Sequence, residues 1–541
     1  MHIELIEITT PGLAYACLGG FLVAFSMVSL LVKEKLYINE VLLGTTFGIL
    51  MGPYAANIID PRSWGTSEEK VTLEVTRVVL ATGLFIIGVE LPKNYLWKHL
   101  KGLLVMVVPT MAVGWVIIAG FLKALFQQLN FVSCLAISAC LTPTDPIICA
   151  TIVGGKFAVR YVPLSIRQIL SAESAVNDGM AYPFLTIALF LTVESSKSTA
   201  IGKWIIVGVL YQVVLGIILG GFLGGWSSTF ALHVVPTTSI TGFVFSFLMK
   251  RSLKNRFIDR ESYLAQQLAL ALLTMGVADT LGCDDLLAAF AAGSTISWDG
   301  DFNHHIENEV FASIVDLVLN CACFIYIGAW LPFKDFSSEA LGIEVWRLVV
   351  LFLIVIFLRR IPALLALYMW IPEVQTWKEA LFCGHFGPVR CNMMGVGAVF
   401  VSSLAVTKLP KPNDPPQNQA ELLAATIRPI VSFVVFGSII IHGLSVVVLS
   451  LTFGLRSRTR TLTSPEFADV QGLPLASSGL ASGSVRDSNS VGGTHKAPDS
   501  VRRIPSKRDS DDGAAIPKEV RFELENGPST NREVESAHGA E

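Results

Sequence analysis

Roughly 13 apolar stretches, each near the ~20 residues that a helix needs to cross a bilayer, follow one another between residues 12 and 453. That succession restricts the chain to an all-α polytopic membrane protein. Composition agrees. Of the 541 residues, 52% are hydrophobic and 15% charged, and the mean hydropathy is +0.59, too apolar for a soluble protein of this size. The net charge of −3 calls for no nucleic-acid partner. The first stretch, near residues 13–32, lacks a basic leader and a small-residue cleavage site, so it reads as a retained helix. The nine cysteines are scattered, and no spacing matches a disulfide framework or a zinc site. Cys321 and Cys323 read as helix packing.

Basic residues fall in alternate loops: Lys33 and Lys35, then Lys93, Lys98 and Lys101, then Lys156, Arg160 and Arg167, then 250–260. The positive-inside rule places these loops in the cytoplasm, the N-terminus outside and the C-terminus inside. The loop from Trp298 to Glu309 runs against the rule, because it is acidic. Residues 1–455 form the expected membrane domain. Residues 456–541, rich in Ser, Gly, Asp, Arg and Pro, lack the apolar surface to fold and read as a disordered cytoplasmic tail.

Two acids stand inside apolar stretches: Asp178 in the sixth and Asp145 in the fifth, residues 130–153. An intramembrane carboxylate is costly and marks a functional site by default. Pro143 and Pro146 flank Asp145, remove backbone donors and disfavour helix before them. The expected result is an extended break between two half-helices, with carbonyls free to face a cation and Asp145 set to offset the positive helix end. Such backbone is tolerated at bilayer depth only where protein or water covers it. On the sixth span, Ser174 and Asp178 are four residues apart and share a face; Glu173 and Asn177 share the adjoining one. With Thr142 and Thr144 these residues offer carboxylate, hydroxyl and amide oxygens around one cavity, the donors hard cations take.

A desolvated carboxylate favours its neutral form, and a proton or a cation neutralises it equally well. Asp178 would then carry one or the other. If the protein changes its facing only when the acid is neutralised, the two ions are exchanged, with no covalent step and no cofactor. Blander readings stand beside this one. Ser174 can be a helix bridge, Asp145 a half-helix cap, and Glu173 a purely structural partner of an arginine, with Arg428 preferred. Asp279, Asp284 and Asp285 precede or open the ninth span, 284–298, and read as caps or as a cation-attracting vestibule. His385 and His442 read as packed or hydrogen-bonded helix residues, or as pH sensors.

At Leu141-Thr-Pro-Thr-Asp-Pro146, Glu173-Ser-Ala-Val-Asn-Asp-Gly-Met-Ala-Tyr-Pro-Phe184, Ile258-Asp-Arg-Glu-Ser262, Asp284-Asp-Leu-Leu-Ala-Ala-Phe-Ala-Ala-Gly293, Gly384-His-Phe-Gly-Pro388 and Ile441-His-Gly-Leu-Ser445, the chain resembles the monovalent cation/proton antiporters, specifically the fungal plasma-membrane sodium/proton antiporters. The resemblance covers roughly Leu13 to Leu455. It implies inverted repeats with two broken, crossing helices, a dimerisation domain with a homodimer, and a mobile core domain. The second broken helix should be the twelfth span, near Gly384–Gly397. Asp178 matches the family's ion-binding acid, and Asn177 resembles the branch associated with electroneutral exchange. The implied cargo is cytoplasmic sodium or lithium, with potassium a further candidate, against external protons, serving salt tolerance and pH homeostasis. Two stretches depart from the family pattern: Trp226 to about Gly242, and Val389-Arg-Cys-Asn-Met393, which brings Arg390 to the expected crossover. A cation channel, which needs a continuous polar lumen, and a salt sensor signalling through the tail are the rival readings.

Overall fold

A computed structural model describes residues 9–36, 38–64, 68–146, 149, 162–224, 251–252, 255–298, 311–386 and 394–460. Among them the chain is all-helical, without a named strand. Thirteen helices organise it: α1 Thr10–Leu30, α2 Glu40–Met51, α3 Glu68–Glu90, α4 Leu100–Leu125, α5 Phe131–Cys140, α6 Leu164–Val193, α7 Lys197–Gly224, α8 Arg260–Leu281, α9 Asp285–Ile296, α10 Phe311–Trp330, α11 Val345–Trp370, α12 Val396–Lys408 and α13 Gln419–Arg460. Nine of these are long and apolar enough to cross a membrane; α2, α5, α9 and α12 are shorter apolar helices. The expected count of 13 full spans is therefore not reached among the described residues. The inserted-looking stretch 226–242, Arg390 and its neighbours, and residues 461–541 of the expected tail lie outside them.

Helix starts follow from short polar side chains. Asn39, Asn130 and Asp284 accept from the backbone N–H groups of Leu42 (3.1 Å), Ser133 (2.7 Å) and Leu287 (2.8 Å), each satisfying an orphan donor of the first turn. The stops around the site have a different cause. Helix α5 ends at Cys140, and the chain runs through Leu141–Asp145 without helix before Pro146. The prolines produce this break, as the sequence leads one to expect. The twelfth apolar stretch is interrupted too. Helical backbone is described up to Phe386 and again from Val396, which a non-helical Met394 and Gly395 precede.

Packing sorts the helices by depth. In α1 only 17% of the spanning window is buried in protein, against 72% in α3. Helix α1 is peripheral, and α3 is central. Lipid tails are as apolar as leucine, so close van der Waals fit rather than exclusion from water holds such helices together. Helix α3 packs along α9, and α12 lies against α3 and α13. The two interruptions fall among α5, α6, α12 and α13.

Candidate functional site

Helix α6 brings four expected residues to the centre: Glu173, Ser174, Asn177 and Asp178, none more than 2% exposed. The first break brings Thr142, Thr144 and Asp145, also buried. The structure then divides them by partner. Asn177 clasps the break: its Oδ1 accepts from Thr144 N at 3.1 Å and its Nδ2 donates to Thr144 Oγ1 at 2.7 Å. Asp145 Oδ2 accepts from Val396 N at 2.6 Å, so the first break caps the half-helix that opens after the second. This contact is where the two interruptions meet. Thr142 donates to Ala139 O (2.8 Å) and Ser174 to Ser171 O (3.1 Å).

Asp178 differs from all of these. Both carboxylate oxygens are buried and find no hydrogen-bond partner among the described residues. Gly397, on the first turn of α12, lies against them. A Cβ there would stand 2.7 Å from Asp178 Oδ1, so any side chain at 397 would fill the space at the carboxylate. Gly179 gives the same close approach on the other side, where a Cβ would stand 3.3 Å from Asp284 Oδ2. Asp145 and Asp284 both lie within electrostatic reach of Asp178. An unpartnered carboxylate in such a place costs several kcal/mol. A bound proton or cation removes that cost. Among the described residues no three His, Cys, Asp or Glu side chains cluster as metal ligands.

One small cavity brings three of the expected residues together. A cavity of about 10 Å³, room for one water, is bounded by Thr110, Thr142, Glu173, Asn177, Arg359 and Arg360; Asp178 and Ser174 are elsewhere. Two carbonyls of the break, those of Leu141 and Pro143, are not free. Arg359 Nη1 donates to Leu141 O at 2.5 Å and to Pro143 O at 3.1 Å, and the guanidinium takes the place assigned to a cation. Sequence reasoning missed this residue. Two adjacent arginines inside an apolar stretch, residues 345–370, were the available signal.

Glu173 does pair with an arginine, but with Arg360 of α11, in a buried contact between Arg360 Nη2 and Glu173 Oε2. The expected partner is corrected: Arg428 instead reaches Glu68 Oε1 (2.7 Å) and Glu69 Oε1 (3.3 Å). Asp284 is the N-cap of α9. Asp285 pairs with Arg77 Nε at 2.8 Å, and Asp279 with Arg77 Nη1 at 2.9 Å. All three acids thus serve helix ends or ion pairs, and Asp284 alone among them borders Asp178 through Gly179. His442 is buried, with Nδ1 2.6 Å from Ser438 O. The side chain of His385 lies outside the described residues.

Two interrupted apolar stretches thus meet beside Asp178, and discontinuous helices of this kind are a device of secondary transporters. Residues 21–452 match the family described as sodium/hydrogen exchanger, transmembrane, and the chain belongs to that family. It is 42% identical over 472 residues to a Na(+)/H(+) antiporter of Saccharomyces cerevisiae, covering 85% of this chain and 45% of that protein. It is 38% identical to a probable Na(+)/H(+) antiporter of Schizosaccharomyces pombe, covering 85% and 58%. The chain spans about half the length of these two relatives. A second Na(+)/H(+) antiporter of that organism is 36% identical, with 84% of this chain and 93% of that protein covered. The solved sodium proton antiporter MjNhaP1 from Methanocaldococcus jannaschii shares the fold, with TM-score 0.57 at 18% identity over 84% of this chain and 100% of that one.

Proposed function

We propose that this chain is a secondary active antiporter exchanging cytoplasmic sodium or lithium, and potassium as a further cargo, for external protons. The observation that carries this reading is the Asp178 carboxylate, buried, without a hydrogen-bond partner among the described residues, and faced by a glycine where the two broken helices meet. Its charge is compensated by one ion at a time. Binding of the cation expels the proton, and protonation expels the cation. Facing changes only in the neutralised state, because moving a bare carboxylate through the apolar interior costs too much. Asn177, Asp145 and Arg359 hold the crossing of the breaks around this exchange, and Glu173 with Arg360 anchors α6 to α11.

The names of the relatives and the family match support sodium and protons as cargo; lithium and potassium rest on the resemblance. The basic-loop pattern supports an outside N-terminus and a cytoplasmic C-terminus. Plasma-membrane location, a homodimer, and a role in salt tolerance and pH homeostasis rest on the resemblance. The test is reconstitution in vesicles under an imposed pH gradient, with sodium, lithium and potassium compared with and without a voltage clamp. Cation-dependent proton flux that disappears in Asp178→Asn is the expected result. Retained flux in that variant would overturn the assignment.

A further inference from the structure

Arg428 is not where the sequence leads one to expect it, and its actual contacts have a use. It stands near the start of α13, directly before Pro429. Its guanidinium reaches Glu68 and Glu69 in the first turn of α3, and Asp335 Oδ2 at 3.9 Å in the turn after α10. It also lies over the Trp330 ring, 5.6 Å from the centroid. One cation therefore gathers three carboxylates from two other elements. The side chains of Arg428, Glu68 and Glu69 are 20%, 22% and 19% exposed. They are neither sealed in a dry core, where breaking a pair is prohibitive, nor fully solvated, where it contributes nothing. This is a contact that can open and close.

The elements it joins have different attachments. Helix α13 lies beside α12, and its Ser438 Oγ accepts from Met394 N at 3.0 Å, at the edge of the second break. Helix α3 packs on α9, which faces α6 through Asp284 and Gly179, and also along α12. Arg428 thus ties α13 to α3 across α12, the helix that opens after the second break. Among the described residues, the tie lies at one end. Helix α3 begins here and finishes at Glu90, next to Lys93, Lys98 and Lys101, the loop that the positive-inside pattern assigns to the cytoplasm. At that inner end of α3 and α10, Glu90 and Asp316 make no salt bridge among the described residues.

Exchange without leak requires that the site be reached from one side at a time. We infer that Arg428 is an outer latch. Its ion pairs with Glu68, Glu69 and Asp335 close the outer route to Asp178 while the inner end is accessible, and they part when the outer route opens. A ligand or contact biases such an equilibrium only through its difference between the two states, and these pairs exist in one of them. Arg428 is accordingly a positioning residue, acting on access and not on the ion. The inference rests on the exchange reading above.

The test uses the full chain in vesicles, with Ser403→Cys as a reporter. Ser403 lies on α12, is 1% exposed and borders Glu69. A membrane-impermeant thiol reagent added outside should label it about tenfold faster in Arg428→Gln than in the parent, the change expected for a latch of ordinary coupling strength. The external KM for sodium should fall and turnover should fall with it. The swap Arg428→Glu with Glu68→Arg should restore both. If Arg428→Gln does not fold, Arg428→Lys, which keeps the charge but loses the fork, should show a smaller shift of the same sign. Parental labelling and kinetics in Arg428→Gln, or a folded swap that restores nothing, would overturn the latch. Asp178→Asn is the separate control: loss of the latch effect with Asp178-dependent flux intact condemns only the latch, and flux surviving Asp178→Asn condemns the exchange reading itself.

Discussion

Glu173 and Asp178 lie five residues apart on one helix, equally buried, and the protein treats them in opposite ways. Glu173 is met by Arg360, with Arg359 beside it. Asp178 has no hydrogen-bond partner among the described residues, and the neighbours within its electrostatic reach are two further acids. Burial alone is therefore no mark of function. A charge compensated by the protein is architecture, because its partner travels with it. A charge left for something else to compensate is where an exchangeable ion belongs.

The hardest blow to this comparison is struck at Asp178. Asp178→Asn removes the charge and keeps the shape, so the protein should fold, reach the membrane and melt at or above the parental temperature, because an uncompensated carboxylate has gone. Cation-dependent proton flux should be abolished. A variant that lost flux and also folded poorly would place Asp178 with Glu173 as a structural acid.

Glu173→Gln should do the reverse. It removes the buried carboxylate that Arg360 pairs with, and breaking a buried pair costs about 3–5 kcal/mol, seen as a lower melting temperature and lower yield. The protein that does fold should exchange with a sodium KM close to the parent. Replacing both partners, as Glu173→Gln with Arg360→Met, should recover most of that stability, since a matched apolar or neutral pair leaves no broken ion pair. A sodium KM that rose steeply in the double variant would show Glu173 acting as a ligand.

How much of this the sequence discloses follows from what each signal depends on. Asp178 and the break at Leu141–Asp145 are legible because their cause is local: an acid in an apolar run, and prolines without a donor. The second interruption near Gly395 is legible only through the resemblance. The arginine partner of Glu173 was not legible. Arg428 and Arg360 both sit in apolar stretches near a proline, and only tertiary packing decides that α11, not α13, carries the residue facing α6. The carbonyls of Leu141 and Pro143 were expected to await a cation because the long reach of Arg359 from another helix has no trace in their own neighbourhood. Gly397 was legible only as the end of the expected second break; its place against Asp178 was not, since that is an approach across 219 residues. The shorter helices blurred the span count for a related reason: a 12-residue helix such as α9, covered by its neighbours, looks as apolar as a spanning one.

Asp145 falls between the two acids of the comparison. It has a partner, Val396 N, yet it stands within reach of Asp178. Asp145→Asn keeps an acceptor for that N–H and loses the charge assistance, which roughly doubles such a bond. Stability should drop by about 1 kcal/mol, within the range of a lost helix cap. Turnover should fall severalfold because the crossing is less firmly held, with flux still measurable. Complete loss of flux with unchanged melting temperature would instead make Asp145 a second member of the exchanging site.

Ser174 offers the smallest effect and the finest test. It shares a helix face with Asp178, a turn away, so position alone makes it a ligand candidate. Its hydroxyl, however, already donates to Ser171 O at 3.1 Å, the local back-bonding that serine makes in helices and that carries little net stability. Serine to alanine removes that bond and leaves a space too small to disturb packing. The melting temperature should stay within a change equivalent to about 0.5 kcal/mol, and the sodium KM within about twofold, since nothing contributed to ion binding is removed. The hydroxyl keeps two lone pairs for accepting, so the result is not foregone. A tenfold rise in KM for sodium, with turnover unchanged, would mean that those lone pairs complete the shell of the ion at Asp178, and the boundary between architecture and site on α6 would move one turn toward Glu173.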